Sequence, residues 1–179
     1  MPDPNIADVI EFIRRQRQTR QFTDEPVSES DLQTLLEVAR WTGSSENKQP
    51  WKFVVVRDPE RRAALGATQQ YTDFLKNAPL VIVPVMETGN LYEDGYDEGR
   101  VAERVLLTAS ALGLGAGVAW FYLPDAIAKA RKILNVPMGS SVQSAIGIGH
   151  PAPRDPNKPK RPNPRKPLDE IVVQERFTN

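Results

Sequence analysis

The chain has 179 residues, of which 40% are hydrophobic and 26% are charged, and its 23 basic residues balance its 23 acidic ones. This composition is typical of one globular domain, gives no electrostatic reason to expect nucleic-acid or membrane binding, and, because cysteine is absent, excludes disulfides and thiolate chemistry. No apolar run approaches the roughly 20 residues of a membrane span and the N-terminus lacks a signal-peptide pattern, so we expect a soluble, cytoplasmic protein.

Two amphipathic helices are predicted before the first strand. Apolar residues at helical spacing after Asp3-Pro4 predict an N-cap with proline in the first turn and a helix that continues to about Gln18. The segment Ser28–Asp31 matches a capping box and starts the second helix. The apolar face of that helix consists of Leu32, Leu35, Leu36 and Ala39.

Strands and helices then alternate along the chain. Apolar and β-branched runs predict strands at 52–56, 80–86, 115–121 and 142–149. Helices are predicted at 59–67, 69–77, 97–112 and 124–134, whereas 168–177 fits either a strand or a helix. Alternation of this kind predicts a sheet with helices on its faces. The two leading helices argue against a doubly wound dinucleotide fold, which normally opens with a strand.

The segment 87–99 has five acidic residues and no basic one. It fits neither the helix period nor the strand period, so it is predicted to be a loop. Its acidic residues lack the spacing of a calcium-binding loop. We therefore predict a solvated acidic face.

The sequence contains no convincing catalytic side chain or metal site. The glycines of "GLGAG" (113–117) follow a helix and precede a strand, the reverse of a dinucleotide fingerprint, so Gly113 is predicted to end a helix. His150 is the only histidine, which makes a zinc site very improbable. No G-x-S-x-G segment presents a nucleophilic serine.

Two basic segments could bind an anion. Four arginines lie between Arg14 and Arg20; they either stabilise the end of the first helix through its dipole or clamp a phosphate in bidentate fashion. The tail 151–167 holds seven of the 16 prolines and no aromatic residue for base stacking. An extended arm over a protein surface is at least as good an interpretation of this tail as nucleic-acid binding.

The loop "GSSENKQPW", residues 43–51, carries neutral hydroxyl and amide groups that both donate and accept hydrogen bonds. Such groups suit the edge of a heterocycle, or sugar-like hydroxyls, better than a metal. The loop is therefore a candidate binding surface as well as a helix-to-strand connection.

Read together, these segments resemble the FMN-dependent nitroreductase family. The matching stretches are "RQTRQFTDEPVSESDL", "GSSENKQPWKFVVV", "ASALGLGAGVAWF", "AIGIGHPAP" and "RKPLDEIV", which occur in the family's order over nearly the whole chain. Gly43 stands where the family usually has proline, Gln16 where it often has arginine, and Gln18 where it often has serine. The chain is also short beside many relatives, so its acidic segment takes the position of their additional helical excursion.

The resemblance implies an α+β fold of three layers, in which a mostly antiparallel sheet is flanked by helices. It also implies one FMN-binding domain over residues 1–179 and a homodimer with exchanged terminal segments, in which 151–179 form an arm over the partner. The two FMN sites would lie at the subunit interface.

The resemblance also assigns residues to the cofactor. Arg17, Gln18 and Arg20 would surround the FMN phosphate and ribityl chain, and Arg165 and Lys166 would add cations from the tail. Ser44, Ser45 and Asn47 would line the flavin, and Gln49 would support their loop. Trp120 and Phe121 would direct backbone N–H groups towards the N5 and O4 edge.

The implied reaction passes a hydride from NADH or NADPH through the flavin to a nitroaromatic or quinone-like acceptor by a ping-pong mechanism, without a metal, a membrane or nucleic acid. Two alternatives stay open. One is another reaction on the same fold, such as dehalogenation, flavin fragmentation or dehydrogenation. The other is a flavin-binding redox sensor without turnover.

Overall fold

The computed structural model describes residues 5–153 and 165–177, with five helices and four strands in this part of the chain. The helices are α1 (Ile6–Arg15), α2 (Glu29–Arg40), α3 (Pro59–Gly66), α4 (Leu91–Ala111) and α5 (Pro124–Leu134). The strands are β1 (Trp51–Val56), β2 (Leu80–Met86), β3 (Gly115–Trp120) and β4 (Ser144–Gly149). Short 3₁₀ turns occupy Ser45–Asn47, Asp73–Asn77 and Leu168–Glu170.

The four strands form one antiparallel sheet in the order β1-β2-β4-β3, so β1 and β3 are its two edges. Trp51 pairs with Met86, Met86 bridges to Ser141, and Trp120 pairs with Ser144. The start of β1 and the end of β3 therefore lie at the same end of the sheet but on opposite edges.

The core has two halves, one on each face of the sheet. Side chains of α2 and α4, such as Leu35 and Val105, pack on the face that carries Ile82 and Ile146. Side chains of α3, α5 and the Asp73–Asn77 turn pack on the other face. This confirms the predicted three-layer α+β fold.

Local capping determines where several helices begin and end. The Ser28 hydroxyl accepts from the Asp31 N–H (3.0 Å), as the capping box predicts. Gly113 has φ +75° immediately after α4, which confirms it as the residue that ends that helix. In α1 the N-cap is Asn5, whose side chain accepts from the Ala7 N–H (3.1 Å), not Asp3-Pro4, which lies outside the described residues.

The first helix ends at Arg15, three residues earlier than predicted. The reason is long-range pairing, since the Thr19 N–H donates to the Ala116 carbonyl (2.8 Å) and the Gln16 side chain donates to the Leu106 carbonyl (2.9 Å). The chain after Arg15 is therefore extended along β3 instead of helical.

The segment 87–99 is helical from Leu91 onwards and not a loop throughout, and three of its five acidic residues are buried instead of solvated. Helix α4 begins at Leu91, capped by Asn90, and its residues Asp94, Asp97 and Glu98 are buried. The prediction failed because carboxylates occupy positions on the inward face that apolar residues usually fill.

Two surfaces of the described chain carry apolar side chains that the chain itself does not cover. Helix α1 has no buried residue, and Ile6, Ile10 and Ile13 on it are each more than half exposed. All of residues 165–177 are exposed, including Leu168 and Phe177. Apart from the turn Leu168–Glu170, this segment is neither a helix nor a strand.

Candidate functional site

The segment 17–20 lies along the free edge of β3. Besides the Thr19–Ala116 hydrogen bond, the Gln18 Oε1 accepts from the Val118 N–H (3.2 Å) and from the Arg20 guanidinium (2.9 Å). A Cβ added at Gly117 would lie 2.5 Å from the Thr19 carbonyl oxygen. Glycine in β3 is thus what lets this basic segment approach the sheet.

The two arginines of this segment have different surroundings. Arg17 Nη1 donates to the carbonyls of Arg14 (2.9 Å) and Gln16 (2.6 Å), at the end of α1. The guanidinium of Arg20 lies 5.5 Å from the centre of the Phe74 ring. Both residues are exposed. In this conformation Arg17 stabilises the helix end, and both guanidinium groups remain accessible to solvent.

The loop before β1 is closed by its own polar groups. The Gln49 N–H donates to Ser44 Oγ (2.8 Å), and the Gln49 side chain donates to the Asn47 carbonyl (3.3 Å). Glu46, Asn47 and Gln49 all have φ between +50° and +55°. Non-glycine residues rarely adopt this backbone conformation, and such strain concentrates at functional sites.

Gly43 sits against Arg100 of α4. A Cβ at this position would lie 2.8 Å from Arg100 Nη2. The guanidinium is held there by a hydrogen bond to Asp97 (3.1 Å) and by the Tyr96 ring, 5.6 Å away. The absence of a side chain at Gly43 therefore makes room for a cation next to the loop.

A cleft of about 520 Å³ opens between this loop and the N-terminal half of α4. Ser44, Ser45 and Lys48 line one wall, and Tyr92 and Tyr96 line the other. The cleft therefore combines hydroxyl groups with two exposed aromatic rings beside the loop.

Trp120 and Phe121 differ in what they can offer a ligand. Trp120 is 63% exposed, and its carbonyl accepts from the Gln69 side chain (2.7 Å). Phe121 is buried, and its N–H already donates to the Gln143 carbonyl (2.7 Å). In this conformation the Phe121 N–H is therefore satisfied within the chain.

The candidate residues form two separate groups within one chain. Gln18 and Arg20 lie at β3, whereas Ser44, Ser45 and Asn47 precede β1 at the opposite edge of the sheet. Three strand spacings of about 4.8 Å put the two edges roughly 14 Å apart. One chain thus carries two partial sites that its own sheet keeps apart.

The tail residues Arg165 and Lys166 make no hydrogen bond or ion pair with any other residue in the described ranges 5–153 and 165–177. Both are exposed. The structure therefore does not join them to the Arg17–Arg20 segment of the same chain. Part of the predicted arm, from Arg154 to Pro164, lies outside the described residues.

Sequence reasoning missed a polar cluster beneath α4. Asp94 accepts from Ser141 Oγ (2.7 Å) and Thr88 Oγ1 (2.5 Å), and Glu98 accepts from Ser144 Oγ (2.5 Å). Its sequence signal is the run Asp94, Glu98, Val101, Val105, in which carboxylates begin an i, i+4, i+7, i+11 face.

Within the described ranges, no group of three or more His, Asp or Glu side chains could hold a metal ion. His150 Nε2 lies 3.7 Å from Glu25 Oε1 instead. No helix in the part of the chain that the structure describes is both long and apolar enough to cross a bilayer.

Comparisons with known proteins agree on one family. Residues 13–94 match the model of the nitroreductase family. A protein from Methanothermobacter thermautotrophicus, provisionally named an NADH dehydrogenase/NAD(P)H nitroreductase, is 30% identical over 149 residues, which are 81% of this chain and 78% of that protein.

Two solved structures have the same fold. An FMN-dependent nitroreductase from Clostridium difficile R20291 superposes with a TM-score of 0.81 and 27% identity, over 94% of this chain and 99% of that one. A provisionally named nitroreductase from Desulfovibrio desulfuricans, solved in complex with FMN, has a TM-score of 0.77 and 31% identity, over 98% of this chain and 100% of that one.

Proposed function

The chain belongs to the nitroreductase family, and we propose that it is an FMN-dependent oxidoreductase that passes a hydride from NADH or NADPH to electron-poor acceptors such as nitroaromatics and quinones. The observation that carries this proposal is the chemistry of the two partial sites: one carries exposed guanidinium groups, and the other presents the neutral hydroxyl and amide groups of Ser44, Ser45 and Asn47. FMN has the matching two ends, a phosphate and a neutral heterocycle.

The residues present fit this cofactor. Arg17 and Arg20 are exposed guanidinium groups beside β3, and guanidinium binds phosphate oxygens in a planar, bidentate way. Gln18, fixed against Val118, adds an amide towards the ribityl chain. Ser44, Ser45 and Asn47 supply neutral donors and acceptors for the isoalloxazine, on a loop that Gln49 holds in a strained conformation.

The working form in this proposal is a homodimer. A two-fold axis brings a patch on one chain against a different patch on its partner, and vice versa. The Ser44–Gln49 loop of one chain would then face the Arg17–Arg20 segment of the other. The two partial sites, which lie at opposite sheet edges of one chain, would thus become adjacent across the interface. The uncovered apolar side chains of α1 and of 165–177 support such an interface.

The terminal segments would be exchanged in this dimer. Each chain is then one domain, 1–179, whose arm 151–179 lies over the partner and carries Arg165 and Lys166 to the phosphate. The exposure of 165–177 supports this arrangement, because five apolar side chains there are at least half exposed in the described part of the chain.

In the mechanism, the bound flavin supplies hydride transfer, and the protein supplies binding, orientation and electrostatics. The guanidinium groups would hold the phosphate, and the loop would orient the ring. The backbone N–H of Trp120, at the end of edge strand β3, would be available to the reactive edge of the flavin. The Phe121 N–H instead extends the pairing of β3 with β4 through the Gln143 carbonyl. NAD(P)H and the acceptor would occupy the same exposed face in turn.

Replacing Arg17 by alanine tests the cofactor assignment. We expect the affinity for FMN to fall about tenfold or more, because a charge-assisted hydrogen bond contributes about 1.5–3 kcal/mol. The measurement is the flavin absorbance per protomer of the purified protein, followed by titration with FMN.

Arg15→Ala is the matched control, since Arg15 is also exposed at the end of α1 but is paired with Glu11. It should retain the flavin. If the Arg17 variant carries as much FMN as the unaltered protein, the role assigned to Arg17 is wrong. A further outcome is that the unaltered protein binds FMN and yet fails to oxidise NADH in the presence of every acceptor tested, menadione included. That result would make it a flavin sensor and not an enzyme.

A further inference from the structure

Glu98 is a buried carboxyl group on α4 that the flavin chemistry described above does not use. The residue is 3% exposed, and its Oε1 accepts a hydrogen bond from the Ser144 hydroxyl (2.5 Å). No residue that the structure describes donates to its second oxygen, Oε2. A carboxylate here would leave charge on a buried oxygen without a donor, so the neutral acid is favoured.

The surroundings of Glu98 act in the same direction. Burial raises the pKa of Glu98 to about 7, opposed by the Ser144 hydroxyl and by the nearby backbone N–H groups of Ser144 and Gln143, and assisted by the Asp94 carboxylate one turn earlier. Asp97 is paired with Arg100, and the side chains that α2, β2 and β3 bury against α4 are apolar. Glu98 can therefore both hold and release a proton near neutral pH.

Ser144 links this acid to the end of the sheet where the flavin edge is proposed to lie. Ser144 is the register partner of Trp120, and partners in an antiparallel pair have Cβ atoms about 5 Å apart on the same face. That face is the α4 side, because Ala116, four residues before Trp120, packs there. Trp120 is exposed and Ser144 is 5% exposed, so the Glu98–Ser144 pair lies just beneath the surface at this end of the sheet.

We propose that Glu98 is a positioning residue that holds the proton for acceptor reduction and delivers it through the Ser144 hydroxyl. This inference rests on the proposed function. Reduction of a quinone to a hydroquinone consumes one hydride, which NAD(P)H provides, and one proton.

The proton balance of the proposed step is simple. In the neutral acid the Glu98 Oε1–H donates to Ser144 Oγ, the reverse of the direction in the carboxylate. This O–H bond breaks as an O–H bond to Ser144 Oγ forms, and the original Ser144 proton passes to an oxygen of the acceptor. The acceptor leaves as the hydroquinone, and Glu98 is left as a carboxylate that accepts from Ser144. Water then returns a proton to Glu98.

The kinetic test compares Glu98→Gln, Ser144→Ala and Glu103→Gln as FMN-loaded proteins, with each half-reaction followed by rapid mixing on both sides of neutral pH. We expect Glu98→Gln and Ser144→Ala to slow acceptor reduction at least about tenfold and to flatten its pH dependence, since a positioned proton donor contributes that much or more. Reduction by NAD(P)H should be unchanged. Glu103 is an exposed carboxylate on the same helix, and its variant should behave like the unaltered protein.

A second measurement does not depend on turnover. Infrared spectra of the unaltered protein should show a protonated-carboxyl band that disappears as the pH rises through neutrality and is absent from Glu98→Gln. A protein that binds no FMN would overturn the proposed function, while this band would still show whether Glu98 holds a proton.

Three results would overturn the inference: no such band in the unaltered protein, an unchanged pH profile in Glu98→Gln, or an equal loss in both half-reactions, which would indicate a structural role only. If Glu98→Gln fails to fold, Ser144→Ala and the infrared band of the unaltered protein decide the question.

Discussion

Gly117→Ala is expected to destabilise the protein by about 1–3 kcal/mol and to abolish most of its FMN binding. The added Cβ would lie 2.5 Å from the Thr19 carbonyl oxygen, which is a backbone atom and cannot rotate away. The segment that carries Arg17 and Arg20 must then move off β3. Urea unfolding measures the first effect, and FMN titration measures the second.

Gly99→Ala provides the matched control for this substitution. Gly99 lies inside α4, and beyond the adjacent backbone of that helix no atom of the described residues lies within 4 Å of a Cβ built there. Alanine should therefore stabilise the protein by about 0.5–1 kcal/mol through helix propensity. If Gly117→Ala is as stable as the unaltered protein and binds FMN normally, the close approach of 17–20 to β3 is not required for the cofactor site.

Because of Glu98, the free energy of unfolding is expected to decrease by up to about 3 kcal/mol as the pH rises from the pKa of an unperturbed glutamate to above neutrality. Its pKa is raised from 4.5 to about 7 in the folded state, and each unit corresponds to about 1.36 kcal/mol. The folded protein binds more protons than the unfolded chain in this window, so stability falls with rising pH. Chemical unfolding at a series of pH values measures the slope.

The other shifted carboxyl groups act in a different window. Hydrogen bonds from Arg14 to Glu11 and from Arg40 to Glu37 lower the pKa of each carboxyl to about 2. The contributions of Glu11 and Glu37 to the free energy of unfolding are present above the pKa of the unfolded chain and are lost only as the pH falls towards 2. Glu98→Gln should therefore remove most of the slope between the two Glu98 pKa values, whereas Glu103→Gln should keep it. An unchanged slope in Glu98→Gln would show that Glu98 is not the group responsible.

The strands of this fold were predictable because each is a short apolar run between clear breaks. Residues 80–86 are buried throughout, so burial on both faces left an uninterrupted apolar signal. The first strand, by contrast, lies at an edge and exposes Lys52 and Val55. A central and an edge position could not be distinguished from composition, since strand order depends on contacts between distant segments.

Helix α4 shows what local patterns cannot reveal. Its second half has the expected apolar face, whereas its first half is anchored by Asp94 and Glu98 to hydroxyl groups of Ser141 and Ser144. Those partners lie more than 40 positions away in sequence, just before β4 and at its first residue. A buried carboxylate becomes recognisable only when its partners are known.

The resemblance identified the segments of the candidate site, but the sequence did not predict how these segments are arranged relative to one another. The segment 17–20 and the loop 43–51 were identifiable from their residue types. Their positions at opposite edges of the sheet, beside β3 and before β1, follow from the strand order. The hydrogen bond that the Phe121 N–H makes and the Gly43–Arg100 contact likewise depend on tertiary geometry.

The location of the two partial sites on opposite edges has a thermodynamic consequence. In the proposed dimer each cofactor bridges two chains, so FMN binds the assembled protein better than the separated protomers. By mass action, saturating FMN would then hold the dimer together at dilutions at which the apoprotein dissociates. Loss of flavin on dilution would accordingly follow the protein concentration as well as the concentration of free FMN.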